Sequence, residues 1–390
     1  MDRRNFIKGI SSAAAITSIT LNTRRGFAVA ADSRDLLLLV GTYTTGTQSK
    51  GIYTYRFNSK TGTLRYVSTI DNVTDPSYLT TDTSGRFLYA VNETLEYDGK
   101  KSGAVSSFTL DRQNGTLTLL NKQPSLGGAP CYITLSNEEK HAVVANYIAG
   151  NVSVFPIDSS GRLGTNSDLV QHVGTGPRKD RQEAAHAHSV DLDRNGVFAA
   201  SCDLGADKIY LYKFDRKAGR LTPNPAQEFF QSPAGAGPRH LRFYPNRDLA
   251  FVINELACTV TALKYDPAHG KLTEIQTIST LPKDWVGENT CAELQISPDG
   301  NFLFGSNRGH DSIVGYKIDQ TSGRLSLVGH TSTAGQVPRN FIIDPSGGYL
   351  LAANQKSNNI VVFALDRLTG KLRPTGTLVD VPAPVCLRLI

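Results

Sequence analysis

Apolar and polar positions along residues 238–256, PRHLRFYPNRDLAFVINEL, describe a hairpin. Leu241 and Phe243 alternate with polar neighbours, Asn246-Arg247-Asp248 supplies turn chemistry, and residues 249–253 form a short apolar run that ends at Asn254-Glu255. An antiparallel hairpin places the start of its first strand beside the end of its second, so Arg239 and His240 are expected next to Asn254 and Glu255. The pattern recurs from Ser77, Cys131, His188, Cys291 and Arg339. A seventh copy is divided between the chain ends, with residues 385–389 as its first strand and residues 36–43 as its second. Head and tail are therefore expected to share one sheet.

Between the hairpins a strand ends at an acidic or amide residue and turns to Gly-x-Leu. The markers are Asn58, Asp111, Asp158, Asp215, Asp266, Asp319 and Asp366, spaced 47 to 57 residues apart, which leaves room for four short strands per unit. An open solenoid needs atypical capping repeats, and none is visible. A closed ring of four-stranded units leaves only short, protected edges. The expected fold is all-β, a seven-bladed β-propeller over residues 34–390, closed by pairing of the N- and C-terminal strands.

Residues 1–30 read differently. Arg3-Arg4-Asn5-Phe6-Ile7-Lys8 resembles a twin-arginine export motif, residues 9–21 are mildly apolar, and Ala28-Val29-Ala30 forms an A-x-A site. The expectation is a twin-arginine signal peptide, engagement of that export machinery and a periplasmic or secreted protein. The apolar run is too short and too rich in Ser and Thr for a stable membrane anchor. Setting aside its five Arg or Lys and one Asp brings the formal charge from +6 to +2, which gives no reason to expect a nucleic-acid partner. The five cysteines lack metal-ligand spacing and are odd in number, so buried free thiols are expected.

In a propeller the first strand of each hairpin lines the central channel, so strand starts and second-strand ends converge on one face. Arg239, Arg308 and Arg339 occupy comparable rim positions there and suit carboxylate or phosphate oxygens. Histidines and Glu255 add groups able to move protons. Tyr43, Tyr132 and Tyr147 read as wall, and Glu93 lies among the converging strand ends. The pair His186-x-His188 puts two imidazoles on one side of a strand, but spacing fixes no third ligand, and neither a metal nor another cofactor is assigned.

Arg181-Gln182-Glu183, His186-Ala187-His188, Gly237-Pro238-Arg239-His240, Asn254-Glu255-Leu256, residues 306–310, Pro338-Arg339-Asn340 and Ala353-Asn354-Gln355 together carry a resemblance. Across nearly the whole mature chain the sequence resembles the lactonase family of seven-bladed propellers, which contains propeller-type 6-phosphogluconolactonases and the fungal 3-carboxy-cis,cis-muconate lactonising enzyme. By that resemblance His188, Glu255, Arg239 and Arg308 fall on positions proposed as catalytic. Arg181, His186, His240, Asn254, His310, Arg339 and Asn354 are expected to bind substrate, a small anionic lactone. The implied activity is hydrolysis of a sugar-acid lactone. The alternatives are a carboxymuconate-type lactonising reaction, a calcium-dependent lactonase and a non-catalytic propeller that binds a small anion or a protein. Export sits awkwardly with a sugar-phosphate lactone, which is a cytoplasmic metabolite.

Overall fold

The computed structural model describes residues 35–390, so the expected signal peptide lies outside the described residues. Twenty-nine strands form seven antiparallel sheets arranged as a seven-bladed propeller. Six sheets have four strands, and one gains a short fifth, Phe229–Gln231, at its edge. The tail strand Pro384–Leu389 pairs antiparallel with Asp35–Thr42, matching Val40 to Leu387. That sheet, blade 1, closes the ring as the divided hairpin requires. Blades 2 to 7 follow in chain order.

Burial explains why each strand reads as it does. In blade 5 the second strand, Leu249–Asn254, is buried throughout, because both of its faces pack against neighbouring blades. The outer strand Lys271–Ser279 alternates exposed and covered positions, as an edge facing water must. Fully buried Phe251, Phe304, Phe341 and Phe363 fill the seams, each stabilising the ring by roughly 1.5–3 kcal/mol.

The repeated markers are turn caps. Asp266 Oδ1 accepts the Ala268 N–H at 3.0 Å, and Asp366 Oδ1 accepts those of Leu368 and Thr369 at 2.9 and 3.1 Å. The glycine that follows does two things at once. Gly270 has φ +65°, which favours glycine, and a Cβ there would lie 2.3 Å from the Phe198 ring of the preceding blade. Gly370 meets Phe302 in the same way, at 2.5 Å. The Asp-to-Gly turn is thus a mortise between blades as well as a hairpin end.

Candidate active site

One local irregularity, repeated, builds the channel mouth. In blade 5, Pro238 pairs with Asn254 and His240 with Ile253, leaving Arg239 as an extra residue on its strand. The same shift leaves Cys131, His188, Arg339 and, on the closing strand, Val385 without partners. A β-bulge re-aims the side chain it carries. Here it turns residues from five blades toward one level. Cys131, Arg239, Arg339 and Val385 line a common space, and His188 Nδ1 lies 3.7 Å from Cys131 Sγ.

Glu255 gathers the cations on one side of this mouth. Its N–H donates to Gly237 O at 2.7 Å, which sets it directly beyond the bulge. Oε2 accepts from Arg239 Nε at 2.9 Å and lies 3.8 Å from His188 Nε2. Oε1 accepts from Arg181 at 2.8 Å and forms an ion pair with Arg308 at 3.0 Å, whose Nη2 donates to Cys291 O at 2.8 Å. Burial alone would raise the Glu255 pKa, but Arg308, Arg239, His188 and Arg181 together outweigh it and hold the carboxyl well below its ordinary range. Burial, reinforced by Arg239, holds His188 well below the usual imidazole value, so the ring is neutral at pH 7. Desolvation and the facing Arg239 and Arg339 lower Arg308 to about 10, which leaves it charged.

Across the mouth stands a second carboxylate. Glu93 follows Asn92 at the end of a second strand, as Glu255 follows Asn254. The Tyr43 hydroxyl donates to Glu93 Oε2 at 2.9 Å, and the Arg339 guanidinium sits 5.3 Å from the Tyr43 ring centre. Burial pushes Glu93 above the ordinary carboxylate range, against the pull of Arg339. The enclosed space beneath these groups is only about 10 Å³, room for about one water, so an organic ligand has to sit above it at the open mouth.

The profile of the family described as lactonase, 7-bladed beta-propeller, matches residues 37–389. The chain belongs to this lactonase family. It is 36% identical over 305 residues to a Bacillus subtilis protein named 6-phosphogluconolactonase, covering 78% of this chain and 84% of that one. A Formosa agariphila protein of the same name is 35% identical over 309 residues, covering 79% and 86%. The solved structure of the Pseudomonas aeruginosa periplasmic gluconolactonase superposes with a TM-score of 0.85 at 33% identity, covering 91% of this chain and 99% of that one.

In this lactonase-family chain, the structure brings His188, Glu255, Arg239, Arg308, Arg181 and Arg339 to one mouth. His186 stacks on Tyr147 at 4.5 Å, with its Nε2 3.1 Å from Glu183, so Tyr147 separates it from His188 and the two imidazoles do not converge. His240 lies below the mouth, its Nε2 accepting from Arg239 at 3.0 Å. Its Nδ1 is 3.4 Å from Glu293 Oε2, too poorly aligned for a hydrogen bond.

Three expected ligand contacts are not found at the mouth. Asn254 donates to Thr259 and Thr261, and Asn354 donates to Thr333 O and Asn359. Both turn into their own blades, where the amide bridges the second and third strands. His310 packs on Trp285 and bonds Ser312 at 2.6 Å, in a separate cluster. Sequence reasoning had Tyr43 as wall and did not single out Glu93, although the shared Asn-Glu ending of two hairpins marks it. It also missed Arg242, which donates to Asp191 at 2.8 Å, Glu293 at 2.9 Å and Tyr78 at 3.2 Å inside the channel.

Proposed function

We propose that the chain hydrolyses a sugar-acid lactone at this cationic mouth by direct attack of water. The observation that carries the reading is the pairing of a neutral, buried His188 with guanidinium groups locked in place by Glu255. Three arginines spend the basicity of Glu255, so its role is to hold Arg239 and Arg308, and His188 is the better proton acceptor. Water attacks the lactone carbonyl while His188 takes its proton. Arg239 and Arg308 face the oxyanion that develops there. The ring C–O bond then breaks, and the departing oxygen takes a proton from Glu93, supported by Tyr43. The product is a hydroxy acid whose carboxyl proton restores Glu93 while His188 returns its own to solvent, and the carboxylate so formed is matched by the surplus of cations. No serine nucleophile motif is present in the sequence, which favours water over an acyl-enzyme. The same groups run the reverse closure if the equilibrium favours it.

The names of the relatives, 6-phosphogluconolactonase and gluconolactonase, favour an aldonic-acid lactone. That the Pseudomonas relative is periplasmic supports the expected export of this chain and, with it, an unphosphorylated substrate. The test is turnover of gluconolactone and 6-phosphogluconolactone by purified mature protein, with and without chelator. Ring opening that survives the chelator is expected. Absence of turnover on both, with anion binding that Arg239→Ala abolishes, would instead make the mouth a binding site. Replacing Arg3 and Arg4 by Lys should retain the precursor in the cytoplasm.

A further inference from the structure

Arg242 divides the channel. Its Nε donates to Leu294 O at 3.2 Å, and its other nitrogens are spent on Asp191, Glu293, Tyr78 and the Tyr132 hydroxyl. With Tyr78 and Tyr132 stacked at 4.3 Å, this cluster spans the bore between the lactone site and the opposite face. On that far side, where the inner strands end, lies a cavity of about 410 Å³, a size common for small-molecule sites.

Its wall has two chemistries. Blades 5 to 7 supply Phe243, Pro245, Ile296, Ile342 and Ile343, an apolar arc. Blades 1, 2 and 3 supply Arg388, Thr80 and Thr134 in consecutive positions. Other polar groups here are already committed. Gln295 bonds the backbone of Phe341 and Ile343, and both oxygens of Asp191 accept from the Tyr132 hydroxyl. Among the described residues, Arg388 has neither an ion pair nor a hydrogen bond from its guanidinium, and the hydroxyls of Thr80 and Thr134 likewise have no partner. The unspent capacity of the cavity is thus one guanidinium followed around the ring by two hydroxyls, facing hydrocarbon.

We propose that this far cavity is a second ligand site, for a small organic carboxylate with an apolar body. The carboxylate lies on Arg388, a geometry guanidinium holds through two parallel bonds, on the side where Thr80 and Thr134 follow. The apolar body lies against Phe243, Ile296 and Ile342. A multiply charged inorganic anion suits the site poorly, since among the described residues only Arg388 meets it as a free cation and half the wall is apolar.

Calorimetric titration of the full mature chain with benzoate, benzamide and inorganic phosphate tests this. Benzoate should bind one to one, with benzamide and phosphate each at least about tenfold weaker, the usual consequence of losing a charge-assisted pair or of burying unmatched charge. Arg388→Gln should weaken benzoate about tenfold and Thr134→Val severalfold, at unchanged melting temperature, while Arg239→Ala at the opposite mouth leaves benzoate binding as it was. Absence of saturable benzoate binding to the wild type overturns the proposal, as does equal binding of benzamide. So does benzoate binding lost in Arg239→Ala and retained in both Arg388→Gln and Thr134→Val.

Discussion

The two arcs of the channel mouth start from the same repeat and end in opposite chemistry. Blade 5 ends its second strand in Asn254-Glu255 and blade 2 ends its own in Asn92-Glu93. Glu255 meets three guanidinium groups within 3.0 Å and is held ionised. Glu93 meets one tyrosine hydroxyl, with Arg339 as its leading opposing charge, and burial prevails. The blade sets the position, and the charges that reach the carboxyl set the proton affinity: Arg308, Arg239 and Arg181 at Glu255, chiefly Arg339 at Glu93. In the proposed mechanism a pair of carboxyl groups driven apart in this way divides a base-side anchor from an acid.

The largest effect should come from breaking the anchored arc. Glu255→Gln leaves Arg239, whose side chain is 3% exposed, and Arg308 without their counter-ion. Removing one partner of a buried pair costs about 3–5 kcal/mol, so thermal melting should fall clearly and lactone turnover should be lost. A melting temperature equal to wild type would mean that Glu255 holds nothing in place. Next comes His188→Gln, expected to lower kcat about 10² to 10⁴-fold with a near-native fold. Because His188 must be neutral to accept a proton and its pKa is depressed, the wild-type acid limb should lie below about pH 6.5. That limb should vanish in the variant. Stability follows the same sign. As pH falls below about 6.5, the unfolded chain binds a proton that folded His188 refuses, and below about 4.3 the unfolded chain also protonates the carboxyl that folded Glu255 keeps ionised, so stability falls with pH in both windows.

The opposite arc should give smaller and differently shaped losses. Glu93→Gln removes a proton donor while leaving the Glu255 cluster intact, so kcat should drop about 10² -fold at most with KM nearly unchanged. Since Glu93 must be protonated to donate, activity in the wild type should decline as pH rises through its elevated value, and the variant should lose that alkaline limb. An unchanged pH profile would assign Glu93 to holding Tyr43 and nothing more.

Much of this was legible in the chain. The seven markers gave the blade count because a turn cap and a glycine fitted between blades have to recur together, as at Asp266 with Gly270. The divided hairpin gave closure, now seen as Val40 against Leu387. The cationic rim was legible as far as alternation could carry it. The bulge was not, because an extra residue at Arg239 or His188 leaves the apolar pattern on either side intact while changing which side chains turn to the channel. For the same reason Asn254 and Asn354 looked like rim residues, although a strand-end amide satisfies its own blade first. Arg242 was hidden as an ordinary polar position in an alternating strand, its partners coming from blades distant in sequence.

The smallest effect, and the sharpest control on the comparison, belongs to His310. It lies two residues past Arg308 in the same segment, so sequence proximity alone would give it a share in the mouth. Its ring instead meets Trp285 edge-on at 4.6 Å and His330 at 5.6 Å, and its Nδ1 is engaged with Ser312. A group outside the mouth contributes to turnover only through the backbone that carries Arg308, and that backbone is fixed by the pairing of Thr290 with Arg308 and of Cys291 with Asn307. His310→Gln should therefore leave kcat/KM within about threefold, a difference of roughly 0.65 kcal/mol. It should leave both limbs of the pH profile in place. A loss approaching that of His188→Gln, with a shifted limb, would move the boundary of the anchored arc outward to include the Trp285 cluster and would show that the arc is set by the whole 308–312 segment and not by the bulged strands.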